Sequence, residues 1–267
     1  MKSYLKYISV TLLLAFSIVN APVIGRAICL FSNPAKDVYL ILMKSLKKHP
    51  HKKTLLLGDS VCRQVFGKAD SEDTLNMCEN QAYEIPGNYL LLRNLIEHQN
   101  EFDTVTLYFN PFSLKCSLDQ IFTYNYFVKP FRPYLSRLDP QEIDYVGQTY
   151  PPKSIFSFLP SVRYAFSDWK MNAAPSPDAL SEVSARYLDK IENICQATDM
   201  KFLLKSLPVR ISRKNEIAAM VENSSSILNQ SAILRQYFNN ITYLPDSLFL
   251  DDVHYKDPEE IRDLITP

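Results

Sequence analysis

Apolar residues along this chain fall into two kinds of pattern, short unbroken runs and helically spaced positions. Thr54-Leu55-Leu56-Leu57 is a short run that stops at Gly58, the form of a strand buried in a parallel sheet. Thr104–Phe109, Lys201–Leu204 and Ile241–Leu244 read the same way, and Thr74–Cys78 is a weaker strand. Between them lie helical spacings. Residues 35–48 place Val38, Ile41, Leu42 and Leu46 on one side. Gly87–Glu97 aligns Leu91, Leu92, Leu95 and Ile96. Asp178–Ala197 is a further helix, with Ser176 or Asp178 as its N-cap. Ser212–Phe238 is mostly helical, with a break near Asn223-Ser224-Ser225. Asp257 caps a last helix with Pro258 at its first position. Alternating strands and helices predict an α/β domain: a parallel sheet of about five strands with helices on both faces. Residues of about 112–177, rich in Pro, Tyr and Phe and without a period, read as an insertion or lid over the sheet's C-terminal edge.

The N-terminus stands outside this pattern. Lys2 and Lys6 precede a stretch from Tyr7 to Gly25 that carries no charge. As a helix it would rise about 28 Å, close to the hydrocarbon thickness of a bilayer. A signal anchor, a cleaved signal peptide and a buried core helix compete. Pro22 after Ala21 disfavours cleavage there, and Gly25-Arg26-Ala27 is a weak cleavage site. We read 1–29 as an uncleaved anchor and 30–267 as the domain it tethers. Lys2 and Lys6 flank one side and Arg26, Lys36, Lys44, Lys47 and Lys48 follow the other, so charge counting alone does not favour an outside C-terminal domain. The export-signal character of the segment places the domain outside the cytoplasm, as a single-pass membrane protein.

Composition narrows the partners. Lys plus Arg equals Asp plus Glu at 29 each, which argues against nucleic acid. Five cysteines, widely spaced and without a CxxC pair, argue against a zinc site and a full disulfide framework. Four histidines leave little for a His-rich metal centre, and no cofactor is expected. Cys62 reads as a small buried residue. Only five glycines occur, so each is expected to have a backbone reason.

The chemistry sits at the predicted strand ends, where open α/β sheets gather their functional groups. Ser60 follows the first strand, Gly87 opens the helix after the second, and Asn110 ends the third. Asp251 and His254 follow the fifth. A serine hydroxyl needs a base to become a nucleophile; His254 can serve, and Asp251 can orient its imidazole. Asp252 is the alternative orienting acid. The backbone N–H groups of Ser60 and Gly87 and the side-chain amide of Asn110 can receive the charge of an oxyanion.

At Gly58-Asp59-Ser60, Gly87, Asn110 and Asp251-x-x-His254 the chain resembles the SGNH (GDSL-like) hydrolase superfamily. The resemblance covers about 54–265 and implies a flavodoxin-like fold. It implies Ser60 as nucleophile, an oxyanion hole from Ser60, Gly87 and Asn110, and no required metal. Val61 stands where the family has Leu, and Phe109-Asn110-Pro111 where it has Gly-x-Asn-Asp. An anchor followed by such a domain also looks like the membrane-tethered members linked to acylation of envelope polysaccharides. That implies an O-acyl esterase or O-acyltransferase, an acyl-ester or glycan substrate, and a membrane acyl-donor protein as partner.

Plainer readings stand beside these. Gly-Asp-Ser on its own is an ordinary turn, with Asp59 bonding turn N–H groups. Asp251–His254 alone is a solvated loop or a helix cap. Arg63, one turn past Ser60, reads as a surface or packing residue rather than a contact to an anionic substrate. The aromatic set from Tyr124 to Trp169 reads as the insertion's own core rather than a platform for sugars. A non-catalytic envelope protein that keeps the fold to bind glycan or a membrane partner is the alternative function.

Overall fold

The computed structural model describes residues 2–19, 35–79, 83–120, 122–150, 180–224, 228 and 231–265. Its framework is a parallel sheet of β1 (Thr54–Gly58), β2 (Thr74–Asn76), β3 (Thr104–Tyr108) and β4 (Lys201–Lys205), in spatial order β2-β1-β3-β4. The register sets Gly58, Tyr108 and Lys205 side by side at the sheet's C-terminal edge. Residues alternate between two faces along each strand. Leu55, Leu57, Val105 and Leu107 point into the larger core, with Leu91 and Leu95 of the helix Glu84–Glu97 and Leu188 and Ile191 of the helix Glu182–Ala197. Leu56 and Tyr108 point to the other face, against Val61 and Val65 of the helix Ser60–Phe66 and Ile261 of the helix Pro258–Ile265. The expected helices on both faces are therefore present.

In chain order the helices used below are α1 (Lys2–Val19), α2 (Ala35–Ser45), α3 (Ser60–Phe66), α4 (Glu84–Glu97), α5 (Pro140–Thr149), α6 (Glu182–Ala197), α7 (Lys214–Asn223), α8 (Ala232–Asn239) and α9 (Pro258–Ile265). Asp257 caps α9 as expected, accepting from Glu259 N at 3.1 Å. The break between α7 and α8 also falls where the sequence placed it, with α7 ending at Asn223.

Several expectations change. The fifth strand does not join the sheet: Tyr243–Leu244 pairs in parallel with Val209–Arg210 as a separate two-stranded ladder, β6 and β5. Pro208 and Pro245 bracket that ladder, and prolines lack the N–H that would lengthen it. The edge of β4 is instead approached by α8. Helix α4 starts at Glu84 rather than Gly87, because Pro86 falls in its first turn, where a missing N–H costs nothing. Helix α6 starts at Glu182 with Ser181 as the cap, whose hydroxyl accepts from Ser184 N at 3.0 Å; the expected caps Ser176 and Asp178 lie outside the described residues.

The described parts of the insertion, 112–120 and 122–150, form a series of short helical turns followed by α5. Tyr124, Phe127, Phe131 and Tyr150 are buried in the larger core, with Tyr124 stacked on Tyr150 at 5.9 Å. These aromatic rings build core; Phe156, Phe158, Tyr164 and Trp169 lie outside the described residues. Cys62 is buried, as expected, but bonded: it forms a disulfide with Cys78. Helix α1 leaves Tyr4, Leu12 and Leu13 exposed. Among the described residues no helix is long and apolar enough to cross a membrane.

Candidate active site

The turn after β1 is dictated by Gly58. A Cβ there would stand 2.5 Å from the Tyr108 carbonyl oxygen and 2.6 Å from the Cys62 Cβ, so only glycine lets α3 fold back this tightly against β3. Asp59 then caps α3. Its Oδ1 accepts from Val61 N at 3.0 Å and Cys62 N at 3.2 Å. Its Oδ2 accepts from Asn110 N at 2.9 Å, which ties the turn after β1 to the turn after β3. Asp59 is almost fully buried. Burial pushes its carboxyl up from the usual range, against the pull of the Asn110, Cys62 and Val61 N–H groups. The structural role expected for Asp59 is the one observed, extended to a second turn. Ser60 follows as the first residue of α3, where a backbone N–H has no intrahelical acceptor.

The second arm of the site is a tight reversal between Phe249 and Tyr255. These two residues form an antiparallel bridge, and Leu250 N donates to His254 O at 2.8 Å. Inside the reversal, Asp251 Oδ1 accepts from Val253 N and His254 N, both at 2.8 Å. Its Oδ2 lies 2.8 Å from His254 Nδ1. Partial burial works against ionisation, but the His254 and Val253 N–H groups and the imidazole outweigh it and lower Asp251 to about 2. An ionised Oδ2 accepts the Nδ1 proton, which leaves Nε2 as an acceptor. That nitrogen lies 3.3 Å from Ser60 Oγ. Ser60, His254 and Asp251 thus meet, although 194 residues separate the first two.

Asn110 is tied to Asp59, the residue before Ser60. Its Oδ1 accepts from Phe112 N at 2.9 Å, capping the short helical turn Pro111–Lys115. That bond fixes the amide so that Nδ2 points elsewhere, and among the described residues it has no acceptor. A narrow slot lined by Asp59, Val61, Phe109, Asn110 and Leu207 opens there. Gly87 is placed differently from expectation. It lies within the first turn of α4, buried, where a Cβ would come 2.6 Å from the Tyr83 Cβ. Its scarcity-driven reason is to admit Tyr83, whose hydroxyl donates to Gly58 O at 3.0 Å. It supports the turn that carries Ser60 from behind, and no described contact brings it to Ser60.

Asp252 does not face the imidazole. It accepts from Arg210 Nη1 through Oδ1 and from Arg213 Nη2 through Oδ2, each at 3.2 Å. Arg210 also donates to Asp251 O at 3.3 Å and to Asp246 at 3.2 Å. Arg213 lies over the Phe112 ring at 4.9 Å. This network was not legible in the sequence, because its members are charged residues on three separate segments. Arg63 turns away from the site to pair with Glu79 and Asp37. Among the described residues no group of three or more His, Cys, Asp or Glu could hold a metal.

Gln64 was also missed. Its amide pairs with the main chain of Tyr255, donating to Tyr255 O and accepting from Tyr255 N, both at 2.9 Å. The only available signal was its spacing, four residues past Ser60 on the same helical face.

No protein-family model matches this chain, and no curated protein matches it either.

Proposed function

We propose that the protein is a serine-dependent O-acyl ester hydrolase or O-acyltransferase that works through an acyl-enzyme. The observation that carries this reading is the relay from Ser60 Oγ through the His254 imidazole to Asp251. Ser60 Oγ attacks the acyl carbonyl carbon while its proton passes to His254 Nε2. The carbonyl oxygen becomes an oxyanion, received by the Ser60 N–H and the Asn110 Nδ2. When the tetrahedral intermediate collapses, the ester C–O bond breaks and His254 returns the proton to the departing alcohol. In the second half water or a sugar hydroxyl attacks the acyl-Ser60 and gives its proton to His254; the acyl C–Oγ bond then breaks, His254 returns the proton to Ser60 Oγ, and free acid or a new ester leaves. No step draws on a cofactor. Resemblance to the SGNH superfamily and the sheet order around β1 support the same assignment.

The setting is proposed with it. A disulfide two residues from the nucleophile suits an oxidising compartment outside the cytoplasm. The exposed apolar side chains of α1 suit attachment of the N-terminus to a membrane. An envelope glycan and a membrane acyl donor are the partners that suit this placement.

The test is labelling of the full chain, in detergent, with a fluorophosphonate probe. The parent should be labelled, and Ser60→Ala and His254→Ala should not. A parent that melts cooperatively yet resists the probe and turns over no acyl ester would leave the glycan-binding reading in its place.

A further inference from the structure

We propose that Gln64 is a positioning residue that sets the distance between nucleophile and base, an inference that rests on the hydrolase reading of the same site. Ser60 and Gln64 are one turn apart on α3 and share a face. Tyr255 directly follows His254. The amide of Gln64 takes up both main-chain polar groups of Tyr255 at 2.9 Å. Its orientation is unambiguous, since exchanging O and N would set donor against donor and acceptor against acceptor.

Tyr255 is a firm point to grip. It is fully buried, its ring lies 5.0 Å from Phe249, and its hydroxyl donates to Pro208 O at 2.6 Å. The reversal from Phe249 to Tyr255 carries Asp251 and His254 together, so whatever holds Tyr255 places both. Asp251 orients the imidazole within the reversal, but it has no described contact with α3. Gln64 spans the gap between the two arms. The Ser60–His254 separation of 3.3 Å is near the long end of a hydrogen bond. A further displacement of about 1 Å would take the base out of reach and can cost two orders of magnitude in rate.

The test uses the full chain in detergent, with fluorophosphonate labelling rate as one readout. Gln64→Leu, which removes both bonds at similar size, should label at least about tenfold more slowly. Gln64→Glu keeps the acceptor for Tyr255 N, but its second oxygen lacks a proton when ionised and faces Tyr255 O. Its rate relative to the parent should therefore be low at pH 8 and recover as pH falls and the new carboxyl gains a proton. That pH-dependent rescue would not follow from packing alone, and Gln64→Glu serves if Gln64→Leu does not fold.

A second readout needs no activity. In chain labelled with carbon-13 at histidine, Ser60→Ala should move the His254 ring cross-peak in the parent and leave it unmoved beside Gln64→Leu. Equal displacement in both backgrounds would overturn the proposal. Labelling of both Gln64 variants at the parent rate, or a pH-independent deficit in Gln64→Glu, would overturn it as well. An unlabelled parent would sink the hydrolase reading alone, since the cross-peak comparison still reports whether Gln64 holds the two arms together.

Discussion

Replacing Asp59 by Asn separates the two jobs of one carboxylate. In the parent, Oδ1 caps α3 through Val61 N and Cys62 N, and Oδ2 holds Asn110 N. In Asp59→Asn the new side chain can keep its carbonyl oxygen on the helix cap, but its amide nitrogen then meets the Asn110 N–H, donor against donor. A hydrogen bond from a backbone N–H to a buried charged group contributes about 1.5–3 kcal/mol. Against that, the neutral amide escapes the burial cost that pushes the Asp59 carboxyl up. We therefore expect Asp59→Asn to destabilise by about 2 kcal/mol. Asp59→Ala also loses the cap, worth about 1 kcal/mol more. At this chain length 2 kcal/mol is a fall in Tm of roughly 4–8 °C. Thermal unfolding followed by circular dichroism measures it, with fluorophosphonate labelling alongside. Because Asn110 loses its tether in both variants, labelling should slow equally in Asp59→Asn and Asp59→Ala while their Tm values differ. An Asp59→Asn protein with the parent's Tm and labelling rate would refute the idea that this carboxylate joins the two turns.

Glu84 is fully buried, and desolvation raises its carboxyl to about 8 against bonds from Leu118 N, Gln120 and Thr123. The unfolded chain ionises near 4.5 while the folded chain holds its proton to about 8, so stability falls as pH rises through that window and is level above it. Glu84→Gln should flatten the dependence, a difference of up to about 4 kcal/mol between pH 4 and 8 in urea titrations; parallel curves for parent and variant would refute it. Asp251→Asn should slow labelling by about 10²–10⁴-fold, since the amide no longer favours the Nδ1–H tautomer; a parent-like rate would remove Asp251 from the relay. Its lowered pKa gives a small stabilisation present above about pH 4 and lost as pH falls through about 2, visible as a shallower acid limb in the variant. Replacing Cys62 and Cys78 together by Ser opens a link between residues 16 apart and should cost about 3 kcal/mol, with Tm then insensitive to reductant. Arg213→Gln and Asp252→Asn should each slow labelling modestly and, because they share the Arg213–Asp252 contact, combine to less than their sum in the double variant.

What could be read in advance was what depends on local pattern. The run Leu55–Leu57 identified a central strand because burial on both faces favours unbroken apolar sequence, and Thr104–Phe109 read as a strand through its β-branched and aromatic residues. Gly58-Asp59-Ser60 and Asp251–His254 were visible because a glycine turn and an acid three residues from a histidine are short-range signatures. Long-range pairing was not visible. Nothing near Ile241–Leu244 says that its partner is Val209 rather than β4, and nothing near Cys62 names Cys78. Gly87 was misplaced because its scarcity signalled close packing correctly but could not say against what; the answer was the Tyr83 ring. Gln64 and Arg210 act on main-chain atoms of distant residues, and a main-chain atom leaves no trace in sequence.

His254 and Asp251 stand at the rim of the fold, with 34% and 57% of their side chains exposed. A catalytic site of the proposed kind placed there would sample only the group presented to it, and not the size of the molecule behind that group. A long chain could lie across the surface and offer one ester after another without threading an end into a tunnel. Selection would then come from the angle at which a bond can be brought up to Ser60.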